Sequence, residues 1–300
     1  MGKKELVTMG DFQIVQRYEG MDTDLLDEIK DELDDLDQES GIVCRKIKIP
    51  SGGGLAYEVE GEESEDVEYK KEIQGVIVFT HRMSAWWRTS FGSANPDNPN
   101  RLPDCASMDG KTGISTQNGE TITIECERCR YNQYGSGTDS HGNPTRGKAC
   151  KNMRRLYLLM DNDPNLYLLT VPPTSMKEVN KKLQRILAGG IPYTGLVVRL
   201  TLEKVQNAAG TDYSRIVLNK YAPLPPEAAA KAIAVRRQIK EQYATMAITM
   251  EDYAPAMQQR QYSPDVYPDA SFDAADAPPP VERGGGFEEA PPYEEGNLPF

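Results

Sequence analysis

Four cysteines, Cys105, Cys126, Cys129 and Cys150, constrain this chain most, because their spacing, C-x20-C-x2-C-x20-C, runs through a segment that cannot fold on apolar burial. The residues between them are mostly Gly, Ser, Asn, Asp and Thr, with few large aliphatics. A stretch of that kind needs a substitute for a core, and a thiolate-bound metal ion is one. Cys126-Glu-Arg-Cys129 follows a strand-like run, Thr121-Ile-Thr-Ile124, and a C-x2-C turn places two thiolates at adjacent corners of a tetrahedron. The expectation is one structural Zn2+ on these four residues. Four thiolates close the coordination sphere, and no H-x-E precedes the pair, so a catalytic zinc is not expected. His141, isolated among Ser140, Gly142 and Asn143, reads as an exposed loop residue and is the alternative ligand to Cys105 or Cys150. Cys44, alternating with Val43 and Arg45, reads as a small strand residue.

Charge is divided along the chain. Residues 1–74 sum to −12, residues 75–250 to +9 and residues 251–300 to −9. A basic body between acidic ends binds a polyanion by counterion release while its own ends compete for the same surface. The first 40 and last 50 residues are too polar to fold well, which leaves about 210 for a single core with an insertion. No apolar run approaches the roughly 20 residues that span a bilayer, and Met1-Gly-Lys-Lys is followed by no apolar h-region. The expected setting is cytoplasmic, with no membrane partner. There five cysteines read as ligands rather than disulfides.

Within the core, strands are expected over Ile42–Ile49, Gly75–Thr80, Arg154–Met160, Leu166–Val171, Thr194–Leu202 and Tyr213–Lys220. Asp161-Asn-Asp-Pro164 marks a hairpin turn. A capping box, Ser175-Met-Lys-Glu178, opens a helix whose Met176, Val179, Leu183, Ile186 and Leu187 recur at helical spacing until Gly189-Gly190. Strands, one helix, then two strands is the order of a five-stranded OB barrel, with the helix plugging it after the third strand. The fold expectation is thus mainly β with α: an OB-like core over 41–222 containing a four-cysteine zinc insertion at 84–152. An acidic segment (1–40) precedes it, and a helix (223–250) and a disordered acidic tail (251–300) follow. Asp22 to Glu39 reads as a solvated amphipathic helix using Leu25, Leu26, Ile29, Leu33 and Leu36, or as a DNA mimic or partner-docking helix.

Unpaired nucleic acid is held by base stacking on aromatic rings, with cations tracking the phosphates. Residues of both kinds cluster at Arg82, Trp86, Trp87, Arg88 and Phe91; at Arg128, Arg130, Tyr131 and Tyr134; and at Lys148, Lys151, Arg154, Arg155 and Tyr157. Adjacent Trp86 and Trp87 on a strand face opposite sides, so only one of them is expected to meet a base. Enzyme signatures are lacking: no Walker A, G-x-G-x-x-G or H-E-x-x-H occurs, and two histidines serve any acid–base chemistry. Neither an enzyme nor a small-molecule substrate is expected.

The tail ends in Leu298-Pro299-Phe300, which resembles the acidic C-terminal tips of bacterial single-stranded DNA-binding proteins. Together with an OB core, a cysteine-rich insertion and the stretch Gly147–Tyr157, it is similar to the replicative single-stranded DNA-binding proteins of bacteriophages. That resemblance implies a protein of the host cytoplasm that protects single-stranded DNA in replication or recombination. It also implies that the Leu298-Pro299-Phe300 tip recruits replication and recombination partners. The T-even members mix His with Cys at zinc and carry a basic N-terminal arm, whereas this site reads as all Cys and Asp22 to Glu39 is acidic. The alternative reading is a zinc-ribbon transcription or replication accessory factor that binds protein or duplex DNA. A virion protein stapled by zinc comes third.

Overall fold

The computed structural model describes residues 12–15, 22, 24–25, 27–29, 42–62, 66–88, 102–117, 120–138, 142–207, 210–245 and 248. Phe91, His141, most of the Asp22 to Glu39 run and the whole tail with Leu298, Pro299 and Phe300 lie outside them. Eleven strands form one mixed sheet: β1 (Arg45–Lys48), β2 (Tyr57–Glu60), β3 (Val67–Lys70), β4 (Glu72–Trp86), β5 (Cys105–Ser107), β6 (Thr112–Gln117), β7 (Glu120–Glu125), β8 (Lys151–Leu159), β9 (Leu166–Val171), β10 (Leu196–Gln206) and β11 (Asp212–Pro223). Two long helices accompany it, α1 (Pro173–Ala188) and α2 (Pro226–Gln242).

The 15-residue β4 organises the whole sheet. Its first residues pair with β10, its length pairs with β8, and its last three pair with β5. A register shift between Ile77 and Phe79 bends the strand as it passes from one partner to the next. Val76, Ile77, Val78 and Phe79 are all buried, because apolar layers cover both sides of the sheet here and period-two alternation disappears. On one face Ile73, Ile77, Leu156 and Leu158 pack with Val179, Leu183 and Ile186 of α1. On the other, Val78, Phe79, Tyr157 and Leu159 pack with Ala228, Ala232 and Ile239 of α2. Burial of each such aliphatic side chain contributes about 1.5–3 kcal/mol. Truncating a fully covered one such as Leu158 costs about 2–5 kcal/mol, because the cavity does not collapse.

The strand order β4, β8, β9, then α1, then β10 and β11 follows the expected arrangement, but the sheet does not close into a barrel. Two strands unseen in the sequence, β2 and β3, continue antiparallel from β1, and β1 takes the edge of β9 in parallel, Arg45 opposite Tyr167. Among the described residues β11 pairs only with β10. Side chains bridge the gap: Ser214 Oγ lies 3.0 and 2.8 Å from the carbonyls of Pro50 and Gly54, and Tyr57 donates its hydroxyl to Thr201 O at 3.1 Å. Gly53 has φ +81°, and a Cβ there would stand 2.8 Å from Lys204 Cγ, so this turn needs glycine.

Two local expectations are corrected. The capping box is not used, since α1 begins two residues earlier at Pro173; Ser175, fully buried, instead accepts the Ile216 N–H on Oγ at 3.0 Å. Part of the N-terminal segment is packed rather than solvated: Phe12 and Ile14 are buried on the α2 side, and Asn162 donates its N–H to Gln13 O at 2.9 Å. Among the described residues no helix is long and apolar enough to cross a membrane.

Candidate functional site

The segment between β4 and β8 folds as a three-stranded meander, β5–β6–β7, followed by the C-x2-C turn and a loop that returns to β8. Cys105 begins β5, Cys126 directly follows β7, and Cys150 directly precedes β8. Backbone bonds fold the turn back: Cys126 N–H donates to Lys111 O and Cys150 N–H to Tyr131 O, both at 2.8 Å. All four cysteines line a single cavity, with Ser84, Trp86, Ser107, Ser115, Ile124, Tyr131 and Asn132 completing its wall. Gly113 makes room for two of the sulfurs. A Cβ there would lie 2.9 Å from Cys105 Sγ and 3.6 Å from Cys126 Sγ.

Burial and then the neighbouring cysteines push the Cys150 thiol up to about 12 and the Cys105 thiol up to about 11. Burial also raises Cys126. These thiols are therefore neutral at pH 7, each resisting ionisation by its neighbours. Among the described residues, no three His, Cys, Asp or Glu side chains already form a metal-holding group. The four thiols share one cavity but are not drawn to a common point. As a donor set, four sulfurs around a glycine-made space suit a soft-accepting dication, which would favour the thiolate forms.

A polar and aromatic face adjoins this cavity. Alternation along β4 puts Thr80, Arg82, Ser84 and Trp86 on one side, and register adds Arg154 opposite Arg82 and Asn152 opposite Ser84. Trp86 stacks on Tyr131, ring centroids 4.0 Å apart and planes 16° from parallel. The Arg130 guanidinium lies over the Tyr131 ring at 4.7 Å, and Lys148 Nζ over Tyr134 at 4.9 Å. Tyr134 is 84 % exposed, the most open large hydrophobic side chain among the described residues. Arg154 donates to Asn180 Oδ1 at 2.9 Å and to Thr80 Oγ1 at 3.1 Å, which fixes its guanidinium where the face meets α1. Burial, then the neighbouring Arg82 charge, lower its pKa.

Not every predicted contact residue reaches this face. Arg155 and Tyr157, expected to meet nucleic acid, are instead 1 % and 0 % exposed on the opposite side of β8, Arg155 paired with His81 and Tyr157 packed in the cluster that includes α2, beyond reach of a ligand. Lys151 shares their parity, opposite Ala85. Trp87 packs against the cluster of Met83, Ala85, Met153 and Ile248, so the two tryptophans do face opposite ways. Arg88 and Arg128 are exposed but each is near a carboxylate, Asp104 at 4.0 Å and Glu125 at 3.5 Å. Asn132, Asn152 and Ser84 were missed. Small amides and hydroxyls carry no sequence signal of their own: strand parity places Ser84 and Asn152 beside Arg82 and Arg154, and Asn132 joins them from the 3-10 turn through its hydrogen bond from Asn152.

Comparison with protein-family models, with curated proteins and with solved structures finds no match to this chain.

Proposed function

We propose that this chain is a single-stranded DNA-binding protein of replication or recombination, of the bacteriophage type, with one structural zinc. The observation that carries the reading is the common face of Arg82, Arg154, Trp86, Tyr131, Arg130, Lys148 and Tyr134. It joins stacking rings to cations at a sheet surface, the combination that unpaired bases and phosphates require. On this reading the five strands β4, β8, β9, β10 and β11 are an OB core whose seam is filled by the β1–β2 hairpin. The zinc is held by Cys105, Cys126, Cys129 and Cys150, and supplies the closure that the meander lacks apolar material to make. The chain's own residues do the binding. Tyr134 offers an open ring, Arg82 and Arg154 neutralise phosphates, and the Trp86–Tyr131 stack holds the insertion against the strand.

The test is a titration of fluorescent oligo-dT and of matched duplex against the full chain over a range of salt. Preference for oligo-dT, with log affinity falling linearly in log salt, supports the reading. Equal affinity for duplex replaces it with the accessory-factor reading, which the ribbon-like β5–β6–β7 meander favours. No binding at low salt overturns both and leaves a zinc-stapled structural protein.

A further inference from the structure

We infer that Asn132 couples metal occupancy of the cysteine cavity to the nucleic-acid face, so that each ligand tightens the binding of the other. The inference rests on the proposed function and adds how that site is regulated.

Asn132 ends the 3-10 turn that directly follows Cys129. Its backbone N–H donates to Cys129 O at 3.0 Å and its Nδ2 to Cys126 O at 2.7 Å, so one residue grips both ends of the C-x2-C turn. Its Oδ1 points the other way and accepts Asn152 Nδ2 at 2.8 Å and Lys148 Nζ at 3.2 Å. Asn152 Oδ1 in turn accepts Ser84 Oγ at 2.8 Å, on the face that carries Arg82 and Arg154, while Lys148 lies over Tyr134. A primary amide suits this position because it has donors at one end and an acceptor at the other. The two states differ in the turn. With four thiolates on a dication, the Cys126 and Cys129 carbonyls are fixed, and Asn132 holds Lys148 and Asn152 in register. Without the ion the turn is free to open, and the cation and the ring it sits over lose their anchor. Coupling between two binding events is reciprocal, so nucleic acid must also hold the metal.

The experiment measures both directions of that linkage on the full chain. Oligo-dT affinity is determined for zinc-loaded and chelator-stripped protein, and zinc transfer to a chromophoric chelator is followed with and without saturating oligo-dT. Stripping is expected to weaken oligo-dT binding roughly 5- to 150-fold, and saturating oligo-dT to tighten zinc affinity, calculated from the equilibrium extent of transfer, by the same factor. Asn132→Ala is expected to keep one zinc per chain while the factor falls toward one. Asn152→Ala, which leaves the turn untouched, is expected to reduce the factor too, and it decides the matter if Asn132→Ala does not fold. If the wild-type chain binds both ligands with no linkage, or if the variants keep the full factor, the inference is overturned and the proposed function stands. If the wild-type chain fails to bind either ligand, the proposed function falls and takes the inference with it.

Discussion

Trp86 and Tyr131 lie ring on ring at 4.0 Å, one from the end of a core strand and the other from the turn after the cysteine pair. The contact makes tryptophan emission a reporter of the insertion's fold. Purified protein is expected to hold one zinc per chain, and removing it by chelation, or by Cys126→Ser or Cys150→Ser, to change that emission while α1 and α2 keep their helical signal. Elemental analysis giving less than half an equivalent of zinc, with no other metal, would sink the proposal. Because burial and mutual repulsion hold Cys105 and Cys150 protonated up to about 11 and about 12, metal binding releases protons. Zinc affinity should therefore be weaker at pH 6 than at pH 8.

Tyr134→Ala should weaken oligo-dT binding by about 1–3 kcal/mol, the usual range for a stacking ring, and leave the melting temperature unchanged. Tyr157→Ala should do the opposite, costing about 3–5 kcal/mol of stability as a buried aromatic truncation. Anisotropy titration and thermal melting on both variants separate a contact residue from a core residue.

Arg82→Ala and Arg154→Ala should each flatten the slope of log affinity against log salt by about 0.7 if each neutralises one phosphate. An unchanged slope in both would mean the phosphates lie elsewhere. Arg155→Ala should instead leave the slope unchanged and lower the melting temperature, since it empties a buried site between β4 and β9.

The contrast between Arg154 and Arg155 shows what was legible in the sequence. Leu166–Val171 was read with its observed ends, and the order of the five long strands around α1 was also right. The side of β8 on which each residue falls was not. Leu156 and Leu158 meet α1 while Tyr157 and Leu159 meet the α2 side, so both parities are apolar and neither marks the outside. β1 falls within the expected strand Ile42–Ile49, whereas β2 and β3 escaped notice because short strands rich in Glu and Lys carry little hydrophobic alternation. Cysteine spacing identified the residues that share the cavity, because Cys126 and Cys129 sit in one turn while Cys105 and Cys150 stand at the start of β5 and just before β8, where the insertion leaves and rejoins the sheet.

His81 gives the fold an acid limit. Its Nδ1 faces two carbonyls, Arg82 O at 3.0 Å and Met108 O at 2.8 Å, so Nδ1 carries the proton and Nε2 is left to accept from Tyr157 OH at 3.4 Å. Phe79, Tyr157 and Tyr243 surround the ring. Burial, followed by the charges of Arg155 and Arg154 and opposed by the two carbonyls, lowers its pKa below the ordinary 6.5. The unfolded chain thus binds a proton that the folded one refuses, and stability should be complete above pH 6.5 and decline as pH falls through the lowered value. Chemical denaturation of His81→Gln should lose that decline; an identical pH profile would assign it to carboxylates.

Deleting residues 251–300, net charge −9, should tighten oligo-dT binding most at low salt, where an acidic competitor is least screened. Removing Phe300 alone, or extending the chain past it, should leave that affinity unchanged and abolish capture of replication partners. Unchanged capture by both chains would reduce the tail to an electrostatic modulator.

The pairing of β4 with β8 sets the order of assembly. Ala85 meets Lys151 across a ladder whose intervening chain is the whole cysteine-bearing insertion, so the central register forms only after that long loop has closed. Closure on this scale slows folding more than it lowers final stability. An ion that gathers Cys105 and Cys150 early shortens the search, because it brings the departing and returning strands together before any core contact exists. Refolding should then be faster when zinc is present from the first moment than when it is added afterwards, with both routes ending at the same native state.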